Sequence, residues 1–192
     1  MIIRLTARNL IFKPLTPETL EDFETLFGSN GACGGCWCMN WLIGKKEFNE
    51  GKGSTNRNRM RRLVRSGKEP GLLAYYNDEP VGWIAAAPRL DYDYLSRSRV
   101  LKPVDDKPVW SVSCLFIRKD CREKGLSVQL LKAVKKFVKE RGGNIVEGYP
   151  YEPKGKLPGA FVWTGLSSAY LRAGYKEAAR FSEARPIYRA KV

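Results

Sequence analysis

Three cysteines, Cys33, Cys36 and Cys38, lie within six residues in the stretch GACGGCWCMNW at residues 31–41. Cysteine thiolates can bind zinc, exchange disulfides or act as nucleophiles. Structural zinc usually takes four ligands in two pairs, and the second pair is missing here, although Cys114 or Cys121 could in principle supply a fourth ligand. A redox C-x-x-C is typical of a thioredoxin-like strand-to-helix junction, which this stretch is not. We therefore expect no metal, and either a pocket wall or a purely structural loop.

The sequence of 192 residues contains no histidine. This absence excludes Ser-His-Asp and Cys-His catalysis, HExxH zinc sites and any imidazole base. The five cysteines are an odd number, which argues against a disulfide framework. No apolar run approaches the roughly 18 to 20 residues of a membrane helix, and Arg4 and Arg8 interrupt the apolar start. We expect a single soluble domain over residues 1–192, located in the cytoplasm and not in a membrane.

The chain carries a formal net charge of +14, and residues 55–68 form a predicted helix without any acidic residue. A surface of this kind favours polyanions, whether nucleic acid, acidic protein or a phosphorylated cofactor. The cations of this segment are Arg57, Arg59, Arg61, Arg62, Arg65 and Lys68.

The junction CREKGLS, residues 121–127, follows an apolar strand and opens a helix. A glycine-bearing loop that enters a helix leaves several backbone N–H groups unpaired, with the positive end of the helix dipole behind them. Such a junction is an anion site, most naturally for phosphate. Its spacing matches neither the Rossmann G-x-G-x-x-G nor the P-loop pattern.

The elements that would position this loop follow an α/β order with mixed sheet character, in which helices flank a central sheet. A hairpin occupies residues 72–88, and a long polar stretch at 89–107 is predicted to run over the surface. The final residues form an extended segment. The remaining predicted strands lie near residues 2–10, 109–117 and 144–150, and the predicted helices near 17–27, 55–65, 126–141 and 167–174.

The junction resembles motif A of the GNAT N-acetyltransferase superfamily, in which an apolar strand ends in Val or Ile, four residues follow, and Q/R-x-x-G-x-G/A opens a helix. Here Ile117 ends the strand and REKGLS follows at residues 122–127. Ser127 replaces the usual Gly or Ala. The hairpin resembles the second and third strands of the family, NIVEGYP the fifth, and AYLRAGY its motif B helix.

The resemblance implies a GNAT fold and the use of acetyl-CoA as cosubstrate, with the cofactor motif over residues 109–141. In that family the loop amides bind the pyrophosphate, and strand residues pair with the pantetheine arm. The positions that match are Leu115, Phe116 and Ile117 for pantetheine, and Arg122, Lys124, Gly125, Leu126 and Ser127 for the phosphates.

The resemblance also implies direct acetyl transfer to a primary amine of an unidentified small molecule, peptide or protein. Tyr170, four residues before Gly174, matches the tyrosine that often protonates the departing thiolate. Glu147 in the fifth strand is a candidate base, with a paired carboxylate as the alternative. Ser111, Ser113 and Cys114 on the central strand could also line the site. Trp163 stands where an Asn often contacts pantetheine.

The acceptor-side loop corresponds to residues 28–53, so the cysteine stretch would line the acceptor pocket through Cys36, Trp37, Cys38 and Met39, with Trp41 as further aromatic wall. The expected partners are acetyl-CoA and the amine acceptor, and the oligomeric state stays open, with a homodimer as one option. The alternative hypothesis is a nucleic-acid-binding module on the same fold that uses the basic helix 55–68.

Overall fold

The computed structural model describes residues 5–6, 8–153 and 162–192. A seven-stranded sheet forms its centre. The strands are β1 (Ile11–Pro14), β2 (Gly71–Tyr76), β3 (Glu79–Pro88), β4 (Trp110–Ile117), β5 (Ile145–Gly148), β6 (Lys176–Arg180) and β7 (Pro186–Lys191). Their order is β1-β2-β3-β4-β5-β7-β6, and neighbours are antiparallel except β4 and β5, which run parallel.

Helices flank both faces of the sheet, as expected for strands whose apolar residues are nearly continuous. Helix α5 is amphipathic because Leu130, Val134 and Val138, spaced by four residues, share its buried side. The helices are α1 (Leu20–Phe27), α2 (Lys45–Glu50), α3 (Ser54–Arg65), α4 (Asp93–Arg97), α5 (Leu126–Glu140) and α6 (Ser167–Arg172). Within the described residues, no helix combines the length and apolar character needed to cross a membrane.

Two layers of core separate the faces of the sheet. On the first face, α5 and α6 pack against Val112, Leu115 and Val146. On the second face, α1, α3 and the cysteine stretch pack against Trp83 and Cys114. This arrangement confirms the predicted α/β fold with a mixed sheet between helices.

Strands β4 and β5 separate partway along their length. Their pairing ends at Val112 with Gly148, although β4 continues to Ile117. A parallel pair that stops early leaves one edge of the longer strand free for another partner. The sheet therefore opens as a V whose apex lies at Val112 and Gly148.

A β-bulge interrupts β4 next to this apex. Ala85 pairs with Cys114 and Ala86 with Val112, so Ser113 is the extra residue. A bulge shifts the alternation of side chains by one position. Leu115 therefore packs on the α5 face, while Cys114 faces the cysteine stretch.

Most predicted elements are confirmed, but the first strand is wrong. The structure places β1 at Ile11–Pro14 rather than at residues 2–10, of which 2–4 and 7 lie outside the described residues. The edge strand is fixed by its pairing with β2, which a local pattern does not reveal. The final extended segment is also resolved into two strands, β6 and β7.

The polar stretch 89–107 does more than cross the surface, contrary to the prediction. It contains α4, and it buries Tyr92, Leu95 and Leu101 against Trp41 and Tyr149. These apolar residues are too widely spaced to give a periodic signal, so the sequence pattern missed their burial.

Candidate active site

A cleft of about 740 Å³ begins at the open V of the sheet. Its walls come from the free end of β4, the first residues around α5, the cysteine stretch and the segment before α6. The described lining residues include Cys36, Cys38, Asn40, Trp41, Ser113, Cys114, Leu115, Phe116, Ile117, Arg122, Glu123, Ser127, Trp163 and Gly165. The cleft therefore joins the predicted cofactor motif to the predicted acceptor loop.

One end of the cleft is formed by the N-terminus of α5. Gly125 caps this helix in the left-handed conformation (φ 87°), and Glu123 has a φ of 61°. The Gly125 carbonyl accepts from Val128 N at 3.1 Å, so helical hydrogen bonding starts there and the preceding amides point out of the helix. Successive amides of this kind form an anion-binding concavity.

The residues predicted to hold phosphate divide into two groups. Arg122 and Ser127 line the cleft, and Arg122 Nε donates to the Ile117 carbonyl at 3.1 Å. Leu126 is buried against Gly82 instead, and Lys124 accepts the Leu5 amide with its carbonyl at 3.0 Å. Gly125, Leu126 and Lys124 therefore belong to the loop through their backbone rather than through cleft-lining side chains.

The pantetheine residues predicted from the sequence all line the cleft. These are Leu115, Phe116 and Ile117 on the free end of β4. The Leu115 amide donates to the carbonyl of Trp163 at 2.6 Å, so the segment before α6 pairs with β4 where β5 has left it. This edge of β4 offers strand-like hydrogen bonds to whatever lies in the V.

Tyr170 lies at the apex of the V, is fully buried and does not itself line the cleft. Its ring occupies the space that Gly148 and Gly165 leave open, because a Cβ at either glycine would overlap the ring. The hydroxyl donates to the Thr164 carbonyl at 3.1 Å. Burial raises the pKa of Tyr170 well above its ordinary value, so the hydroxyl keeps its proton at neutral pH.

Glu147 is fully buried and does not line the cleft. Arg89 donates to one carboxylate oxygen at 2.9 Å and Arg189 to the other at 2.7 Å, while the Tyr149 hydroxyl adds a third hydrogen bond at 2.5 Å. Two guanidinium groups therefore occupy both carboxylate oxygens and balance their charge within the protein. This geometry does not support the predicted base role and favours the paired-carboxylate alternative.

Only two of the four residues of the cysteine stretch that were predicted to line the acceptor pocket line the cleft. Cys36 and Cys38 line it, but Trp37 packs in the core against Phe27, at a centroid distance of 5.7 Å. Met39 lines a separate cavity of about 820 Å³ beside α3. Trp37 and Cys38 both have positive φ, 44° and 56°, and this double left-handed turn redirects their side chains. The assignments of Trp37 and Met39 to the pocket wall are therefore corrected.

Burial favours the thiol form of two cysteines of the cleft, Cys36 and Cys38. Burial raises the pKa of Cys36 and of Cys38, and Cys38 Sγ accepts a hydrogen bond from Trp83 Nε1 at 3.0 Å. Among the described residues, no group of three or more His, Cys, Asp or Glu side chains could hold a metal ion. A protonated, buried thiol is a poor nucleophile.

Two further lining residues, Ser113 and Trp41, lie where the sequence analysis expected the site. Ser113 lines the cleft and donates to the buried Tyr92 hydroxyl at 3.0 Å. Trp41 also lines the cleft and contacts Trp163, with a distance of 5.5 Å between ring centroids. The role of Gly148 escaped the sequence analysis, although a glycine inside a strand indicates close approach of another group.

Comparisons with known proteins agree with this architecture. Residues 38–148 match the model of the acetyltransferase (GNAT) family. No curated protein sequence matches the chain.

Solved structures show the same fold at low sequence identity. A GNAT-family acetyltransferase from Listeria monocytogenes 4b F2365 has a TM-score of 0.59 at 9% identity, with 95% of each chain covered. A GNAT-family acetyltransferase from Streptococcus agalactiae 2603 has a TM-score of 0.56 at 11% identity, again with 95% of each chain covered. The paia N-acetyltransferase from Thermoplasma acidophilum, solved with coenzyme A, has a TM-score of 0.53 at 15% identity and covers 95% of this chain and 99% of its own. Because the family model matches more than half of its residues, this chain belongs to the GNAT acetyltransferase family.

Proposed function

We propose that the protein transfers the acetyl group of acetyl-CoA directly to a primary amine. The observation that carries this proposal is the V between β4 and β5, which opens at Val112 and Gly148 and continues as one cleft to the N-terminus of α5. A strand edge and a helix N-terminus in one cleft suit a ligand with an amide-rich arm and a phosphate end. Acetyl-CoA has both, and it would supply the activated thioester.

The chain offers a fitting site for each part of that cosubstrate. The amides before α5 and the guanidinium of Arg122 would bind the pyrophosphate. The edge of β4 at Leu115 would pair with the pantetheine arm, in place of its present bond to Trp163. The glutamate beside this end, Glu123, also lines the cleft, so Arg122 and the backbone amides must outweigh its charge.

Tyr170 is suited to donate a proton to the departing thiolate. An acid must be protonated at neutral pH, and burial of Tyr170 ensures that it is. Its position between Gly148 and Gly165 places the hydroxyl at the apex of the V. To act, the hydroxyl would exchange its hydrogen bond to the Thr164 carbonyl for one to the sulfur.

The proton of the ammonium group would leave through water. Among the described residues that line the cleft, the one carboxylate is Glu123, which lies at the phosphate end. Near the apex, Ser113 donates to Tyr92 and so presents its lone pairs to the cleft. We infer that Ser113 orients the amine while solvent accepts the proton.

The alternative of a nucleic-acid-binding module is weakened by the pairing of the basic helix. Arg57 and Arg61 of α3 both bind Glu24, at 2.6 and 2.5 Å, and Arg59 binds Glu47 at 3.0 Å. Phosphate contacts require cations that are free to release counterions. Lys68 also binds Asp91, at 3.2 Å. Four of the six cations in this segment are thus engaged within the protein, which favours the enzyme proposal.

The test is acetyl transfer from acetyl-CoA to a panel of primary amines, with products separated by chromatography. Thiol reagents are unsuitable because Cys33 is exposed and would react. Tyr170→Phe should lower kcat by up to about 100-fold and leave acetyl-CoA affinity unchanged.

Tyr175→Phe is the matched control. The buried Tyr175 hydroxyl donates to the Leu131 carbonyl at 3.0 Å, and the ring centroids of Tyr175 and Tyr170 are 5.1 Å apart. Each variant loses one buried hydroxyl that is bonded to a carbonyl, so both should lose similar stability. Equal losses of kcat in both variants would contradict the acid role of Tyr170.

A further inference from the structure

Arg185, in the turn between β6 and β7, is a partly buried cation without an acidic partner. Its Nε is buried and has no hydrogen-bond partner among the described residues. One terminal nitrogen donates to the Tyr149 carbonyl at a long 3.3 Å, and the guanidinium lies 4.0 Å from the centre of the Tyr151 ring. No carboxylate in the described part of the chain forms an ion pair with it, and the segments outside that part contain no Asp or Glu.

This state is unfavourable for an arginine, because a charge removed from water costs free energy unless it is paired. Burial lowers the pKa of Arg185, yet an arginine stays protonated at neutral pH. Nearby arginines show the usual solution: Arg189 binds Glu147 and Asp105, and Arg180 binds Glu152 and Glu177. An arginine that the protein leaves unpaired is suited to an anion brought by a ligand.

The position of Arg185 connects it to the cleft. The Tyr151 ring packs on Arg185. The Tyr151 amide donates to the Gly165 carbonyl at 2.8 Å, and Gly165 lines the cleft. Tyr149, whose carbonyl it binds, packs on Trp41 at 5.4 Å, and Trp41 also lines the cleft. Arg185 therefore lies beside the wall of the cleft near Trp41, close enough to Tyr170 at the apex to oppose the rise that burial causes in the pKa of that hydroxyl.

The lining of the cleft also favours a ligand that carries a negative charge. Apart from Glu123 at the phosphate end, its described lining residues carry no carboxylate, and its wall near Trp41 is aromatic and thiol-bearing. An amine with further positive charges would find no counter-charge there. The net charge of +14 adds to this repulsion.

We propose that Arg185 binds the carboxylate of the acceptor, and that the acceptor is an amine that also carries a carboxylate and an apolar or aromatic group. The planar guanidinium matches a carboxylate in a two-point arrangement, and Tyr151 holds its plane. Trp41 and Trp163 would contact the apolar part. This proposal rests on the proposed acetyl transfer, since it names the substrate class of that same cleft.

The first test measures binding without catalysis. Phenylacetate and its neutral isostere phenylacetamide are titrated calorimetrically into protein saturated with CoA, which occupies the phosphate end. Wild-type protein should prefer phenylacetate, and Arg185→Gln should weaken phenylacetate binding by about tenfold or more while leaving phenylacetamide unaffected. Arg180→Gln, a neighbouring arginine that is already paired, should leave both affinities unchanged. If Arg185→Gln binds phenylacetate as the wild type does, the proposal is wrong.

Folding of the variant provides a separate readout. Arg185→Gln removes an uncompensated charge, so its melting temperature should equal or exceed that of the wild type. Arg185→Lys keeps the charge but loses the planar fork, and should recover only part of the phenylacetate affinity. A marked loss of melting temperature in both variants would indicate a structural role and overturn the proposal.

The second test compares kcat/KM for L-phenylalanine and 2-phenylethylamine, which differ by the carboxylate. Wild-type protein should prefer L-phenylalanine, and Arg185→Gln should abolish that preference. If both amines are acetylated equally by the wild type, the acceptor proposal fails while acetyl transfer stands. If neither is acetylated yet phenylacetate binding depends on Arg185, the carboxylate site stands and the proposed transfer to such amines fails.

Discussion

Gly148→Ala should disable the apex of the V through Tyr170. A Cβ built at Gly148 would lie 2.6 Å from Cζ and 2.7 Å from the hydroxyl oxygen of Tyr170, and closer still to Cε1. Real Cβ contacts do not approach so closely, and Tyr170 is fully buried, so its ring cannot move into solvent. Overpacking of this kind costs about 1–3 kcal/mol.

The expected result is a fall in melting temperature of about 2–12 °C, since 1 kcal/mol corresponds to roughly 2–4 °C in a chain of this size. The displaced hydroxyl should also lower kcat at least as much as Tyr170→Phe does. Thermal unfolding and acetyl transfer to the best amine of the panel would measure both effects. Gly44→Ala is the control, because its Cβ would meet its nearest neighbour, Asp93, at 3.9 Å.

A double-mutant cycle would identify the cause of the stability loss in Gly148→Ala. If the overlap with the tyrosine ring is responsible, Gly148→Ala should cost little in a Tyr170→Ala background, where the ring is gone. Additive losses would place the cost elsewhere, in the pairing of Gly148 with Val112 or Tyr188. A Gly148→Ala protein with wild-type melting temperature and kcat would refute the geometry of the apex.

Three further predictions concern the charges of the protein. CoA at 100 times its Kd should raise the melting temperature by about 5–11 °C. Gly125→Glu should abolish this shift. Gly125→Ala has the same strain at φ 87° but no added charge, so it should keep part of the shift. Glu147→Gln should cost about 3–5 kcal/mol in urea unfolding, because the partly buried Arg89 loses its carboxylate partner and Arg189 keeps only Asp105. Normal stability with a selective loss of kcat would restore the base role. Arg61 and Arg57 lower the pKa of Glu24 from 4.5 to about 2, with the hydrogen bond to Arg61 as the first cause. The stability that Glu24 contributes should therefore be complete above pH 4.5 and lost as the pH falls towards 2. The difference in urea midpoint between wild type and Glu24→Gln should shrink between pH 4.5 and 2 and stay constant above pH 4.5.

Elements set by local chemistry were predictable from the sequence. Thr16 and Pro17 begin the first helical segment and Gly28 ends α1, as the capping pattern indicates. The motif around Gly125 was recognisable because it depends on one glycine at a strand-to-helix junction. These features need no information about distant residues.

Features set by distant contacts were not predictable. Ser113 becomes the bulged residue only through the pairing of β4 with β3, and nothing in VSC marks it. Trp37 and Met39 are adjacent to the lining cysteines in sequence, yet two left-handed residues, Trp37 and Cys38, turn their side chains elsewhere. Arg185 gave no signal, because a partnerless arginine is recognised only when its neighbours are known.

Compensation of buried charge separates structural from functional ions in this protein. Glu147 looked like a base because it is a carboxylate in a strand next to the cleft, but Arg89 and Arg189 satisfy both of its oxygens. That pairing joins the stretch after β3 and the strand β7 to β5, so it stabilises the closed side of the V. Arg185 lies on the same half of the sheet and lacks any such partner among the described residues. No carboxylate of the described residues pairs with Arg185, and this is the arrangement expected where a substrate brings the opposite charge.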